Sequence, residues 1–408
     1  MIKKSIKLII LVFLANMLFA QHTFEKIISD SENQIINRVI EDDDGNFIMA
    51  GRIRNNETEK YAGYLIKIDN NGDLIQEEII SPNDTTSCLF LNIHYFNNYI
   101  YILGSEMVIS PNVSKLWYLK LNTNLEIEDE KFLNIPYGKW FSYMNSIIDS
   151  DSNFTITGYT SRLESNYYNN DAYFYKINLD GDSLNSMFYT KVSPINFSFD
   201  IIESQDSSKY YAFVSHFTNI FGCAGQRLVL DKNLDSLDID SIPLMIFDYY
   251  SPIHLNTTDI LLCGKKIPWS SIEVSLNVIS INEEAELIDY NQFNMQNEMR
   301  ENPAMYSGVS KNEDNIYIGG TSNFDHTNPF YSTKESWFHL IKINSDISPI
   351  WEYWYGGDAY YLLYSILATN DGGCLLVGNR YDHETQDQER DIYIAKVNGE
   401  GLIVWTQE

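Results

Sequence analysis

Residues 44–75 read DGNFIMAGRIRNNETEKYAGYLIKIDNNGDLI, and the phrase returns near the C-terminus as DGGCLLVG at 371–378 and IYIAKVNGEGLIVW at 392–405. Each copy is two hairpins. The runs are short, rich in Ile, Tyr, Phe and Val, and bounded by Asp, Asn and Gly, which is the chemistry of strands and tight turns. The first hairpin ends on a small residue at Gly51, Gly104, Gly158, Ser215, Gly264, Gly320 and Gly378. The second carries an aliphatic-Lys-aliphatic core centred on Lys67, Lys120, Lys176, Val229, Ser280, Lys342 and Lys396. Both markers step by about 54 residues and both count seven. Repeats four and five are the degenerate ones, with Val229 and Ser280 in place of Lys and Ser215 in place of Gly.

A four-stranded unit exposes an apolar face that it cannot bury alone, so neighbouring units must stack on both sides. A row of such units with a period above 40 residues predicts a propeller. The expected fold is all-β: a seven-bladed β-propeller of four-stranded antiparallel blades, near 33–80, 87–134, 143–191, 198–245, 251–295, 304–356 and 361–407. A closed ring leaves no sheet edge at its seam. Phe24-Glu25-Lys26-Ile27 precedes Gly51 at the same distance as Trp351-Glu352-Tyr353-Trp354 precedes Gly378. The N-terminal segment therefore has the form of an orphan outer strand, as does Trp405-Thr406-Gln407-Glu408. One of the two is expected to complete blade seven, with residues 22–28 placed to latch the ring.

Residues 1–20 have the form of a secretory signal: Lys3, Lys4 and Lys7, then an apolar run from Leu8 to Leu14, then Ala20 at the cleavage point. The remainder, 21–408, is read as one exported domain without membrane insertion, periplasmic or extracellular and monomeric. The chain has 28 basic and 56 acidic residues, a net charge of −28, and is three units more negative without the leader lysines. That charge opposes nucleic acid and anionic lipid as partners. Of four cysteines, Cys263 and Cys374 fall in second strands as small apolar residues. Cys88 sits at the start of a strand and Cys223 in a long loop; they pair only if the fold brings them together.

No chemistry-bearing motif stands out from this frame. Lys67, Asp69, Asn71, Gly72 and Glu78 match parts of an EF-hand loop, but Lys occupies the first ligand position, so the segment reads as a hairpin turn. Asp42-Asp43-Asp44 is the densest carboxylate run and also reads as a turn. The recurrent Lys is expected to lay its stem between blades and carry its amine to water. The seven His lack zinc spacings, and no G-x-S-x-G elbow is present. Sialidase-like propellers need an Arg cluster for a carboxylate; the eight Arg, at 38, 52, 54, 162, 227, 300, 380 and 390, show no such grouping in sequence. Two aromatic stretches beside Asn and Asp suit either sugar stacking or packing: 353–361 between blades six and seven, and Tyr167-Tyr168-Asn169-Asn170 in blade three. No catalytic, cofactor-binding or metal-ligating residue is assigned, and no cofactor is expected.

The repeated Asp-Gly-Gly, apolar strand, Gly and aliphatic-Lys-aliphatic-Asp/Asn pattern resembles exported bacterial repeat propellers of the DGG type, within the Kelch and quinoprotein-like superfamily. The resemblance implies a surface or secreted protein and carries no catalytic residues. The Gly-x-x-x-Trp hairpin at Gly401–Trp405 is similar to quinoprotein repeats, but most copies here lack the Trp, so no quinone is implied. The expected function is a non-enzymatic binding or scaffolding module with a protein or glycan partner. The competing expectation is a carbohydrate-binding protein or carbohydrate-active enzyme using carboxylates and aromatics on the blade loops.

Overall fold

The seven repeats become seven antiparallel sheets arranged as a ring. The structure, a computed structural model, describes residues 23–403 except 30–31, 56, 83–85, 109–112, 136–139, 162–169, 191–195, 218–222, 243–245, 267–274, 294–299 and 386–388. The inner strands of blades one to five are Asn33–Glu41, Ser87–Phe96, Trp140–Ile148, Asn196–Glu203 and Ile246–His254. Blade six has a split inner strand, Glu301–Pro303 and Val309–Asn312, and blade seven begins with Tyr360–Ala368. Pro303 has no N–H to continue the ladder. The chain swings out and returns where Gly319 N–H donates to Gly308 O at 2.9 Å.

Closure comes from the N-terminus. Phe24–Ile28 pairs antiparallel with Arg390–Val397 as the outer strand of blade seven, in the register Phe24↔Lys396 to Ile28↔Ile392. The alternative closing segment, 405–408, lies outside the described residues. Seven apolar clusters hold the ring, one at each blade interface. Successive strand residues point to opposite faces, and both faces are apolar because every blade has two neighbours. In strand three of blade one, Ile66 and Ile68 pack toward blade seven and Leu65 toward blade two.

Pairing register corrects one repeat marker. Gly51 pairs with Ile36 just before the inner-strand bulge, and in blade four the residue so placed is Val214, opposite Ser198, not Ser215. Cys263 and Cys374 are buried as expected. Cys88 is also buried and free, and Cys223 opens a strand, Cys223–Asp231, instead of lying in a loop. The fold does not bring Cys88 and Cys223 together to pair: they lie in blades two and four, which are not neighbours.

The second hairpin turns form one face of the ring, and all seven obey one rule. Asp69, Asn122, Asn178, Asp231, Asn282, Asn344 and Asn398 each accept, through Oδ1, the amides two and four residues on. The EF-hand-like stretch is thus a turn whose oxygens are already used. The residue three after the Asx has positive φ in every copy: Gly72, Leu125, Gly181, Leu234, Ala285, Ile347 and Gly401. A left-handed non-Gly residue costs about 1–2 kcal/mol. Burying a Leu or Ile contributes about 1.5–3 kcal/mol, which offsets it; Leu125, Leu234 and Ile347 are all buried. Where the position is Gly, a neighbouring ring fills the space that a side chain would take: Phe24 over Gly72, Tyr118 over Gly181, Tyr353 over Gly401.

The recurrent Lys clasps this same face in four of its five copies, where protein groups bind the amine that was expected to reach water; Lys120 lies instead over the Tyr99 ring at 4.0 Å. Lys67 pairs with Asp42 at 3.0 Å and donates to Thr123 O of the next blade's turn at 3.1 Å. Lys176 pairs with Asp149 at 2.9 Å and donates to Lys232 O at 3.1 Å. Lys342 donates to Gly399 O at 3.1 Å. Lys396 is buried against Asp371 at 2.9 Å. In degenerate blade four, Arg227 takes over: it pairs with Asp240 at 2.7 Å and donates to Asn282 O and Glu283 O of blade five. A cation buried between blades is stable only when paired and hydrogen-bonded; Lys67, Lys176 and Lys396 have both, and Lys342 has the hydrogen bond. Asp42 is therefore a structural partner of Lys67 and an acceptor for the Asp44 and Asn46 amides. Among the described residues, no group of three or more His, Cys, Asp or Glu is placed to share a metal ion.

Candidate functional site

The inner strands each bulge once near their middle, in blades one, two, three, four and seven at Ile36/Arg38, Phe90/Asn92, Tyr143/Asn145, Ser198/Asp200 and Leu363/Ser365. A bulge re-aims the following side chain. Here it turns one polar residue per blade into the central channel: Arg38, Asn92, Asn145, Asp200, Ser251, Ser307 and Ser365, around a cavity of about 250 Å³. The sequence analysis missed this ring. Its signal was present, since each member lies 12 to 14 residues before the first-hairpin marker, corrected to Val214 in blade four.

The ring is stitched by hydrogen bonds. Asn92 Nδ2 donates to Asn145 Oδ1 at 2.7 Å, and Asn145 Nδ2 to Asp200 Oδ1 at 2.5 Å. Ser251 N–H donates to Asp200 Oδ2 at 2.6 Å, and Ser251 Oγ to Tyr306 O at 3.1 Å. Tyr306 N–H donates to Tyr364 O at 2.8 Å. Asn379 Nδ2 to Gln34 O, 2.7 Å, and Asn37 Nδ2 to Phe90 O, 2.5 Å, carry the circle through blade one. Burial pushes the Asp200 carboxyl up to about 6, opposed by the Arg38 charge and by the amides it accepts. His94, which shares a 2.6 Å hydrogen bond with Ser146 Oγ, keeps some surface toward the channel but sits deep in the ring. Burial first, then Arg38, lowers it to about 3, so it is neutral near pH 7.

This coupling makes a prediction. Arg38 holds both groups down, so Arg38→Met is expected to raise the Asp200 and His94 titration midpoints together, read by side-chain NMR. Movement of the two in opposite directions would contradict the arrangement. The Asp200 shift also sets a sign for stability. Its folded pKa is raised, so its contribution is fully present below about 3.9 and is lost as pH rises through about 6.

What this waist can do is limited. It is smaller than the roughly 300–1,000 Å³ of ligand pockets. Hydrolysis of a glycosidic bond needs two carboxyl groups about 5–9.5 Å apart; among the described residues lining the cavity, Asp200 is the one carboxylate. A second polar cluster lies between blades five and six. His339 contacts Glu301 and Glu352, both at 3.2 Å, and stacks on Trp354 at 4.7 Å. Ser322 donates to Glu301, and Trp354 Nε1 donates to Ser322 Oγ. Burial lowers the His339 pKa, but the two carboxylates outweigh it and raise it. Glu301, His339 and Ser322 are sealed from solvent.

The other side of the ring, where strands two and three of each blade connect, is the loop face. The 353–361 aromatics that end at this face mostly pack. Tyr355 donates to Gly401 O at 2.8 Å, and Tyr361 lies in the core with Phe338 and Tyr393. In Tyr167-Tyr168-Asn169-Asn170, residues 167–169 lie outside the described residues.

The arginines do group here, contrary to the expectation from spacing. Arg54 and Arg380 each pair with a carboxylate here, as Arg227 does on the turn face. Among the described residues no carboxylate pairs with Arg52 or Arg390: Arg52 lies over the Tyr61 ring at 5.4 Å, and Arg390 over Tyr331 at 4.9 Å and Phe330 at 5.6 Å. Both Nε atoms are buried without a hydrogen-bond partner, as is the hydroxyl of Tyr364. Arg390 is only 6% exposed. A cation–π contact contributes about 0.5–2 kcal/mol, less than the several kcal/mol needed to bury an ion. The three groups meet through blade one. Ile35 packs with Tyr364 in one apolar cluster and pairs across the strands with Arg52, while Asn33 Oδ1 accepts the Arg390 amide at 3.1 Å. Both arginine charges act on the Tyr364 hydroxyl, which burial pushes up to about 12.

Known structures share this ring and nothing finer. No family model and no curated protein sequence matches the chain. The β-propeller domain of the Trilobed protease from Pyrococcus furiosus, described as having an open velcro topology, aligns over 93% of this chain and 100% of its own, with TM-score 0.52 and 10% identity. A puromycin hydrolase aligns with TM-score 0.54 and 8% identity over 90% of this chain and 52% of its own. An acylaminoacyl peptidase gives 0.51 and 9% over the same shares. The chain thus spans about half the length of those two hydrolases. At such identities the likeness establishes the propeller fold alone.

Proposed function

We propose that this chain is an exported, non-enzymatic binding module that takes its partner on the loop face of the propeller. One observation carries the reading: the two faces differ in what they leave unsatisfied. The turn face spends its Asx oxygens and lysines on its own backbone and on the next blade, and the channel waist is stitched around its circumference, with Arg38 Nε and the Asn37 and Asn379 side-chain oxygens left over. Among the described residues, the loop face holds three buried donors without a hydrogen-bond partner, Arg52 Nε, Arg390 Nε and the Tyr364 hydroxyl, beside the exposed rings of Phe330 and Tyr331. Such a pattern suits recognition, because unmet polar groups next to aromatic surface supply orientation and contact area together. The repeat's likeness to exported bacterial propellers, the leader-like residues 1–20 and the acidic surface support a monomeric protein outside the cytoplasm.

The test is a glycan array probed with the purified chain lacking residues 1–20, with and without calcium. The expected result is retention of a defined glycan group, independent of calcium and without turnover. Release of cleaved sugar would replace this reading with the enzymatic one. Retention of no glycan would remove glycans as the partner class.

A further inference from the structure

Arg390 and Arg52 are anomalous in a chain with twice as many acidic as basic residues. Each of the paired arginines has a carboxylate at 3.8 Å or less, whereas among the described residues these two meet ring faces and no carboxylate. A guanidinium presents a planar fork that matches a carboxylate. The Tyr364 hydroxyl, 2% exposed as a residue and without a partner, supplies a third donor from the inner strand of blade seven. Beside them, Phe330 and Tyr331 are 37% and 38% exposed, flat surfaces of the kind that stack on sugar rings.

We propose that the loop face between blades six, seven and one binds a sugar bearing a carboxylate, with Arg390 and Arg52 pairing to the carboxylate, Tyr364 donating to it, and Phe330 and Tyr331 packing on the sugar ring. The inference rests on the binding-module reading and names its ligand class. The local charge explains why an anion is taken by so acidic a protein: among the described residues no carboxylate pairs with these two cations, and burial strengthens their pull on a ligand that displaces water. The aromatic pair makes the ligand a carboxylated sugar in preference to a bare acid.

The experiment is calorimetric titration of the full chain without residues 1–20 with glucuronate, glucose and acetate. Arg390→Gln and Tyr364→Phe are the site variants. Arg54→Gln, which touches only the surface pair with Glu59, is the control. Glucuronate is expected to bind at least about tenfold more tightly than glucose or acetate. Arg390→Gln should lose about tenfold or more and Tyr364→Phe a few-fold, with Arg54→Gln unchanged. Thermal melts of each variant separate lost binding from lost folding, and Tyr364→Phe removes one oxygen only. Equal binding of glucose, or glucuronate binding untouched by both site variants, overturns the proposal. Acetate competing as well as glucuronate overturns its sugar half. Array glycans retained equally by wild type and Arg390→Gln would sink this site while leaving the binding-module reading intact; retention of no glycan by the wild type would sink this site and remove glycans as the partner class.

Discussion

Deleting residues 22–29 is expected to remove most of the protein's measurable stability, because among the described residues Phe24–Ile28 is the strand that joins the two ends of the chain in one blade. Phe24 is 7% exposed and packs against Phe47 and over Gly72. Glu25 accepts the buried Tyr393 hydroxyl at 2.6 Å. Burial of the Phe side chain alone contributes about 1.5–3 kcal/mol. The lost ladder and the exposed edge of Arg390–Val397 add to it, in a domain whose whole stability is about 5–15 kcal/mol. The Lys26–Asp73 contact is exposed and adds little, about 0–1 kcal/mol. Point variants sharpen the expectation. Phe24→Ala should cost about 3–5 kcal/mol. Ile27→Ala, at a position 51% exposed, should stay within about 0.5 kcal/mol. Urea unfolding followed by tryptophan fluorescence reads all three, and equal effects of Phe24→Ala and Ile27→Ala would contradict the latch.

The second large effect is expected at the clasp of blades three and four. Asp149 accepts Lys176 at 2.9 Å and the Tyr210 hydroxyl at 2.5 Å, and its side chain is fully buried. Asp149→Ala leaves the Lys176 ammonium buried without its counter-charge, which costs about 3–5 kcal/mol. Adding Lys176→Met to Asp149→Ala should recover part of that loss, since the stranded charge is then gone; a double variant worse than the sum of the singles would contradict the clasp. Burial alone raises the Asp149 pKa, but the Tyr210 and Lys176 hydrogen bonds outweigh it and lower it. A depressed carboxylate contributes stability that is present above the unfolded value, about 3.9, and is lost as pH falls through the folded value. Wild type should therefore lose stability with acid more steeply below about pH 4 than Asp149→Ala.

The blade count and the hairpin turns were legible in the sequence because they recur in every copy, and recurrence averages over local exceptions. The exceptions themselves misled. Ser215 looked like the Gly position until pairing placed Val214 there, and blade four looked unclasped because Arg227 lies two residues from the expected site. The recurrent Lys was given its place between blades, but its partner was invisible: Asp42 and Asp149 lie a whole hairpin away and meet Lys67 and Lys176 only across a sheet. The channel ring was readable in principle, as a polar residue at fixed offset in an apolar strand. The loop-face arginines were not. Arg52 stands at the opposite end of the chain from Arg390 and Tyr364 of blade seven and approaches them only because the ring closes, and closure is a property of the whole array rather than of any repeat.

These assignments divide the molecule: the turn face holds the ring together, and the loop face between blades six, seven and one meets the ligand. Amide hydrogen exchange on the full chain lacking residues 1–20, with and without saturating glucuronate, tests that division most directly. The account predicts slowed exchange around Phe330–Tyr331, Tyr360–Tyr364 and Arg390–Tyr393, with the seven Asx turns unchanged. Protection appearing at the Asx turns while the loop-face segments exchange as before would contradict it.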